Sequence, residues 1–281
     1  MVLNLSAAAS AVISFSGIAG SFSLYFVAGI LPCLLWLLFY LRRDRHPEPK
    51  KEILMVFIIG ALMTAPAVAI EVFLINTIDG FNLGATATAI ISNIVAIAFI
   101  EEFAKYAAVW LKEQAVNQNR YLDEPVDFVI YMVVSALGFA AIENLLFLLP
   151  VVQEELAGGA SFLQANSALY LMSLSLFRSI SAILLHTLCS GIIGYYMAMT
   201  FCNREKKLNL LLTGFLTVSC LHGLYNFSIM KSESNLGFLL IPLAIILALA
   251  ITLFVQFQKL LKLKSVCSIK TNTKRKAKSL K

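Results

Sequence analysis

Glu101 and Glu102 stand side by side in the apolar run AFIEEFAKYAAVWL, residues 98–111, and Lys105 follows one helical turn after the first of them. Comparable apolar stretches hold Glu143 next to Asn144, His186, and His222 with Asn226 one turn further on. Residues four apart share a helix face, which pairs Glu101 with Lys105, Phe139 with Glu143 and His222 with Asn226. Adjacent helical residues project about 100° apart, so one glutamate can face a site while the other approaches it from the side. Two imidazoles with two or three carboxylates are the donor types of a Zn²⁺ site. Three protein ligands there leave one position for a water, and a further carboxylate acts as general base. Hydrolysis of an amide bond is the reaction that suits this chemistry. The H-E-x-x-H pattern of soluble metalloproteases is absent, so the ligands would come from separate helices. A glutamate-activated water without a metal draws on the same residues.

The elements that must position these groups are membrane spans. The 281-residue chain is 59% hydrophobic and 14% charged, with a mean hydropathy of +0.84, whereas about a quarter of residues are charged in soluble domains. Apolar stretches that reach the roughly 20 residues a bilayer requires cover 20–41, 53–75, 88–111, 126–150, 168–201, 208–230 and 236–262. The expected fold class is all-α, a polytopic membrane helix bundle of seven spans; a short helix over residues 1–20 would make eight. One integral membrane domain, 1–262, precedes a basic tail, 263–281. Lys and Arg gather in the loops after the first, third and fifth spans and in that tail, which places the C-terminus in the cytoplasm. Loops and tail account for the net charge of +6, so the lipid bilayer is the implied partner and nucleic acid is not. The five cysteines lack paired spacing and read as apolar packers.

Depth brings the ionisable groups together. Counted from the outer helix ends, Glu143 lies about 9 Å into the bilayer and His186 and His222 about 12 Å, with Glu101 and Glu102 at about 14 to 20 Å. A charge at such depth costs about 2.5 to 3.5 kcal/mol and needs a partner or a purpose. Arg178 lies near the outer end of its span, where snorkelling accounts for it and anion stabilisation is the alternative role. A proton-coupled transporter would space its Glu and His as a ladder across the bilayer. That reading and a non-catalytic membrane scaffold are the rivals to a hydrolase.

The same residues carry a family resemblance. EEFAK (Glu101, Glu102, Lys105), GFAAIEN (Gly138 to Asn144), His186 in LLHTLCSGIIGYY and LHGLYNF (His222 to Asn226) resemble the successive motifs of the PrsW family of intramembrane proteases, one per helix, over residues 30–262. The layout is also similar to the wider superfamily of CAAX proteases and bacteriocin-immunity proteins, with its EExxxR, FxxxH and HxxxN patterns. Lys105 stands one position before the usual Arg of that superfamily, and Glu143 stands where the prenyl proteases have His; both match PrsW. Residues and resemblance together give an intramembrane endopeptidase. Glu101 or Glu102 would polarise water, while the other carboxylate, His186 and His222 bind Zn²⁺ or stabilise the oxyanion. Glu143 would be a metal ligand with the two His, or a second base, and Lys105, Phe139, Asn144 and Asn226 would support the site. The resemblance further implies a bacterial plasma membrane and stress-triggered cleavage of a membrane-anchored substrate, an anti-sigma factor, near the outer leaflet.

Overall fold

A computed structural model describes residues 5–42, 48–115, 122, 124–157, 165–202, 204–232 and 235–279. The orientation signals Arg43, Arg45 and Arg120, and the side chains of residues 1–21 and 263–281, lie outside that description. Among the described residues every regular element is helical: α1 (Leu5–Leu41), α2 (Lys50–Leu62), α3 (Thr64–Asp79), α4 (Ala85–Ile91), a π-helix (Ser92–Ala98), α5 (Phe99–Ala115), α6 (Pro125–Ala157), α7 (Ala165–Ile180), α8 (Ala182–Cys202), α9 (Lys207–Ser232) and α10 (Leu240–Ser279), with two short 3₁₀ turns. Seven helical runs are long and apolar enough to cross a membrane, at the places hydropathy predicts. Their outward side chains remain exposed, among them Phe73 at 67%, Leu243 at 65% and Phe254 at 64%. Such faces suit lipid, which is as apolar as they are.

Two spans are interrupted where the sequence gives a reason. Pro66 has no N–H to return to the Leu62 carbonyl, and the helix breaks at Met63 between α2 and α3. Between α7 and α8, Ser181 Oγ and the Ser181 N–H both donate to the Phe177 carbonyl, at 2.7 and 3.0 Å, a back-bonding that bends helices.

The chain forms two compact units. The first comprises Met1–Arg43 and Ala140–Ile183, the second Asp44–Phe139 and Leu184–Lys281. Tyr25, Ala28, Leu148, Val152 and Leu171 form the core of the first unit. Its helices are also tied by hydrogen bonds to backbone oxygens: Tyr25 Oη to Leu145 at 2.7 Å, Ser175 Oγ to Ala28 at 2.5 Å and Trp36 Nε1 to Ser179 at 3.0 Å. In lipid no water competes for these groups, and such bonds contribute about 0.6 to 2 kcal/mol each.

In the second unit, glycines let backbones touch. A Cβ on Gly138 would strike the Phe57 carbonyl oxygen and one on Gly60 the Ser135 carbonyl oxygen, so α2 and α6 pack without side chains between them. A Cβ on Gly194 of α8 would lie 2.7 Å from Val129 Cα of α6. Close approach of this kind replaces the hydrophobic driving force that lipid does not supply between helices. Lys112 is buried and ion-paired with Glu52, which fastens α5 to α2.

Candidate active site

The second unit holds a buried ionic cluster assembled from three helices. Glu101, Glu102 and Lys105 come from α5, His186 and Ser190 from α8, and His222 from α9. Glu102 and Lys105 are 0% exposed and Glu101 6%, so water does not screen these charges. Lys105 Nζ donates to Glu102 Oε1 at 2.7 Å, to His186 Nδ1 at 2.7 Å and to Glu101 Oε2 at 3.4 Å. Its ammonium also lies 4.8 Å from the centroid of the Phe139 ring, whose face attracts a cation. One lysine thereby neutralises part of the charge of two carboxylates that could not otherwise share a dry site.

Hydrogen bonding separates the two glutamates. Glu102 is committed on both oxygens: Oε1 accepts from Lys105 and from His222 Nδ1 at 3.0 Å, and Oε2 accepts from Ser190 Oγ at 3.1 Å. A carboxylate partner makes His222 Nδ1 the donor, which leaves Nε2 as the lone-pair nitrogen. That Nε2 faces Glu101 Oε2 at 3.6 Å. An ammonium has only donors, so His186 Nδ1 is likewise an acceptor, and it too lies 3.6 Å from Glu101 Oε2. One carboxylate oxygen and two imidazole nitrogens thus lie close together, and Lys105 supplies a cation to two of them, His186 Nδ1 at 2.7 Å and Glu101 Oε2 at 3.4 Å.

The helix before Glu101 is not regular. Hydropathy reads residues 88–111 as one continuous helix, yet Ser92–Ala98 is π-helical. At its start the Ser92 N–H and Asn93 Nδ2, the latter at 2.8 Å, both donate to the Ala89 carbonyl. The segment sits against α9 at Gly223, where a Cβ would come within 2.6 Å of Ile94 Cα and 2.8 Å of the Asn93 carbonyl oxygen. Gly223 is next to His222, so this backbone contact sets how near His222 comes to the glutamates of the following helix.

Of the residues expected from sequence, one ligand atom from each of Glu101, Glu102, His186 and His222 lies within 4.8 Å of the other three. Glu143 is not in that group. It belongs to the first unit, where its Oε1 accepts from Arg178 Nη2 at 2.9 Å while Arg178 Nε donates to Asn144 Oδ1 at 2.6 Å. Asn144 Nδ2 in turn donates to the Gly29 carbonyl at 3.3 Å. Arg178 therefore has carboxylate and amide partners and also lies 4.3 Å from the Phe147 ring centroid, contacts that the snorkelling reading did not include. The orienting partner of His222 Nδ1 is Glu102, whereas spacing suggested Asn226. Ser190 was not singled out in the sequence, although it stands four residues after His186 and so on the same face.

The class this defines is a polytopic, all-α membrane protein with a buried Glu/His centre suited to hydrolysis. The family profile described as PrsW family intramembrane metalloprotease matches residues 48–255, and the chain belongs to that family. It is 32% identical to Protease PrsW of Oceanobacillus iheyensis over 222 residues, 78% of this chain and 89% of the relative. Protease PrsW of Geobacillus kaustophilus is 30% identical over 73% of this chain and 80% of its own, and that of Bacillus subtilis 24% over 78% and 88%. No solved structure matches the chain. The protein is an intramembrane peptidase that acts on membrane-embedded substrates.

Proposed function

We propose that the protein is a zinc-type intramembrane endopeptidase in the plasma membrane of a bacterium. Its expected substrate is a membrane-anchored protein, an anti-sigma factor by family resemblance, cut near the outer leaflet. The observation that supports the metal is the 3.6 Å separation of Glu101 Oε2 from both His186 Nδ1 and His222 Nε2. Ligands about 2.1 Å from a tetrahedral ion lie about 3.4 Å apart, so this donor set needs only a few tenths of an ångström of adjustment. Glu101, His186 and His222 would hold the ion, which when bound supplies a water ionised near pH 7. This reading assigns the ligand role to Glu101, where the sequence suggested Glu143.

The chain's own groups have distinct work. With Oε2 given to the ion, the second oxygen of Glu101, Oε1, would take up the proton of the attacking water as the water oxygen bonds to the peptide carbonyl carbon. That proton passes to the departing amide nitrogen as the C–N bond breaks. Glu102 holds His222 in the tautomer with Nε2 bare, and Ser190 holds Glu102. Phe139 walls the cluster, its ring 6.2 Å from that of His186.

The test is cleavage of a single-span substrate by the purified protein in liposomes. A strong chelator is expected to abolish cleavage and added Zn²⁺ to restore it. Cleavage indifferent to both would remove the metal, and absence of cleavage of any membrane substrate would favour the scaffold.

A further inference from the structure

Lys105 donates to the same His186 lone pair that a metal would need. Its Nζ is 2.7 Å from His186 Nδ1, the nitrogen that faces Glu101 Oε2, and 3.4 Å from that oxygen. A nitrogen lone pair serves one partner at a time, so the ammonium and a divalent ion exclude each other at His186. We propose that Lys105 is a resident counter-ion that occupies the cation position of the metal-free site and is displaced by the incoming divalent ion. The inference rests on the metal reading above.

Charge supports the incoming ion. With neutral imidazoles, two carboxylates and one ammonium sum to −1, so the cluster with Lys105 alone keeps an unbalanced negative charge that favours a further cation. The displacement is also short. Lys105 gives up His186 Nδ1 but keeps Glu102 Oε1 at 2.7 Å and the face of Phe139 at 4.8 Å, two contacts that do not involve the three proposed ligands' lone pairs. A lysine is suited to this because its ammonium is a single point donor on a flexible stem. The substitute cation lets the bundle insert and pack before metal arrives, and it sets a lower affinity than the bare donors would have. Lys105 is in this sense a positioning residue for the metal site.

The experiment is titration of chelator-stripped full-length protein in detergent with Co²⁺, whose visible absorption reports tetrahedral binding, together with thermal unfolding with and without Zn²⁺. Lys105→Met removes the competing charge at similar length and is expected to bind Co²⁺ about tenfold or more tightly than wild type. Its unfolding temperature should fall below wild type under chelator and recover with Zn²⁺. Lys105→Arg keeps a cation and should bind no more tightly than wild type. Wild type that binds Co²⁺ while a folded Lys105→Met binds it no more tightly overturns the exchange and leaves the metal reading standing. Wild type without Co²⁺ binding overturns both. Lys105→Met and Lys105→Gln that both fail to fold even with Zn²⁺ present also contradict the proposal, because the ion should then replace the missing charge.

Discussion

Glu101→Gln is expected to lower the cleavage rate by about 10² to 10⁴-fold, the range spanned by loss of a positioned acid or base, while leaving the protein folded. The amide keeps the size of the carboxylate but carries no negative charge, so it takes up no proton and is a poor ligand for a divalent cation. Folding should survive because the stronger anchors of the cluster do not involve Glu101. Lys105 keeps Glu102 at 2.7 Å, and His222 keeps Glu102 at 3.0 Å. The measurement is the initial rate of single-span substrate cleavage in proteoliposomes, beside the thermal unfolding temperature in detergent. A folded variant that cleaves at the wild-type rate would remove Glu101 from the chemistry.

Glu102→Ala is expected to act on stability instead, with a loss of about 3 to 5 kcal/mol, as for removal of one partner of a buried ion pair. Glu102 is fully buried and accepts hydrogen bonds from Lys105, His222 and Ser190. Its removal leaves an ammonium, an imidazole N–H and a hydroxyl in an apolar interior with no water to replace the carboxylate. Glu102→Gln should be milder, since the amide oxygen still accepts, yet it should impair cleavage because His222 loses the charge that fixes its tautomer. Unfolding of the two variants, followed by circular dichroism in detergent, distinguishes them. A folded Glu102→Ala as stable as wild type would contradict the anchoring role.

Which parts were legible in the sequence follows from what each depends on. The seven spans were, because twenty or so apolar residues in a row have few other uses, and the structure has runs at the same places. The buried acids and His were conspicuous because each is costly in lipid. Their partners were harder to see. His186 and Ser190, or Glu101 and Lys105, share a face by spacing alone, but the bond from His222 to Glu102 joins residues 120 apart and depends on how α9 rests on the π-helix. The π-helix itself leaves no hydropathy signal, since Ser92–Ala98 is as apolar as a regular helix would be. Only Gly223, next to His222, hints at a backbone that must be approached closely. Glu143 was grouped by depth with the two His, and depth says nothing of which side of a helix faces which neighbour. Arg178, on the next helix, supplies its charge partner within the first unit.

The most direct test of the account is the metal content of purified protein, measured by mass spectrometry of the elements on detergent-solubilised wild type and on a His186→Ala/His222→Ala variant. The account predicts about one zinc-type ion per folded wild-type chain, lost in the double variant while Glu143→Gln retains it. Cleavage-competent wild type with no bound ion, or a double variant that keeps its ion, would contradict it.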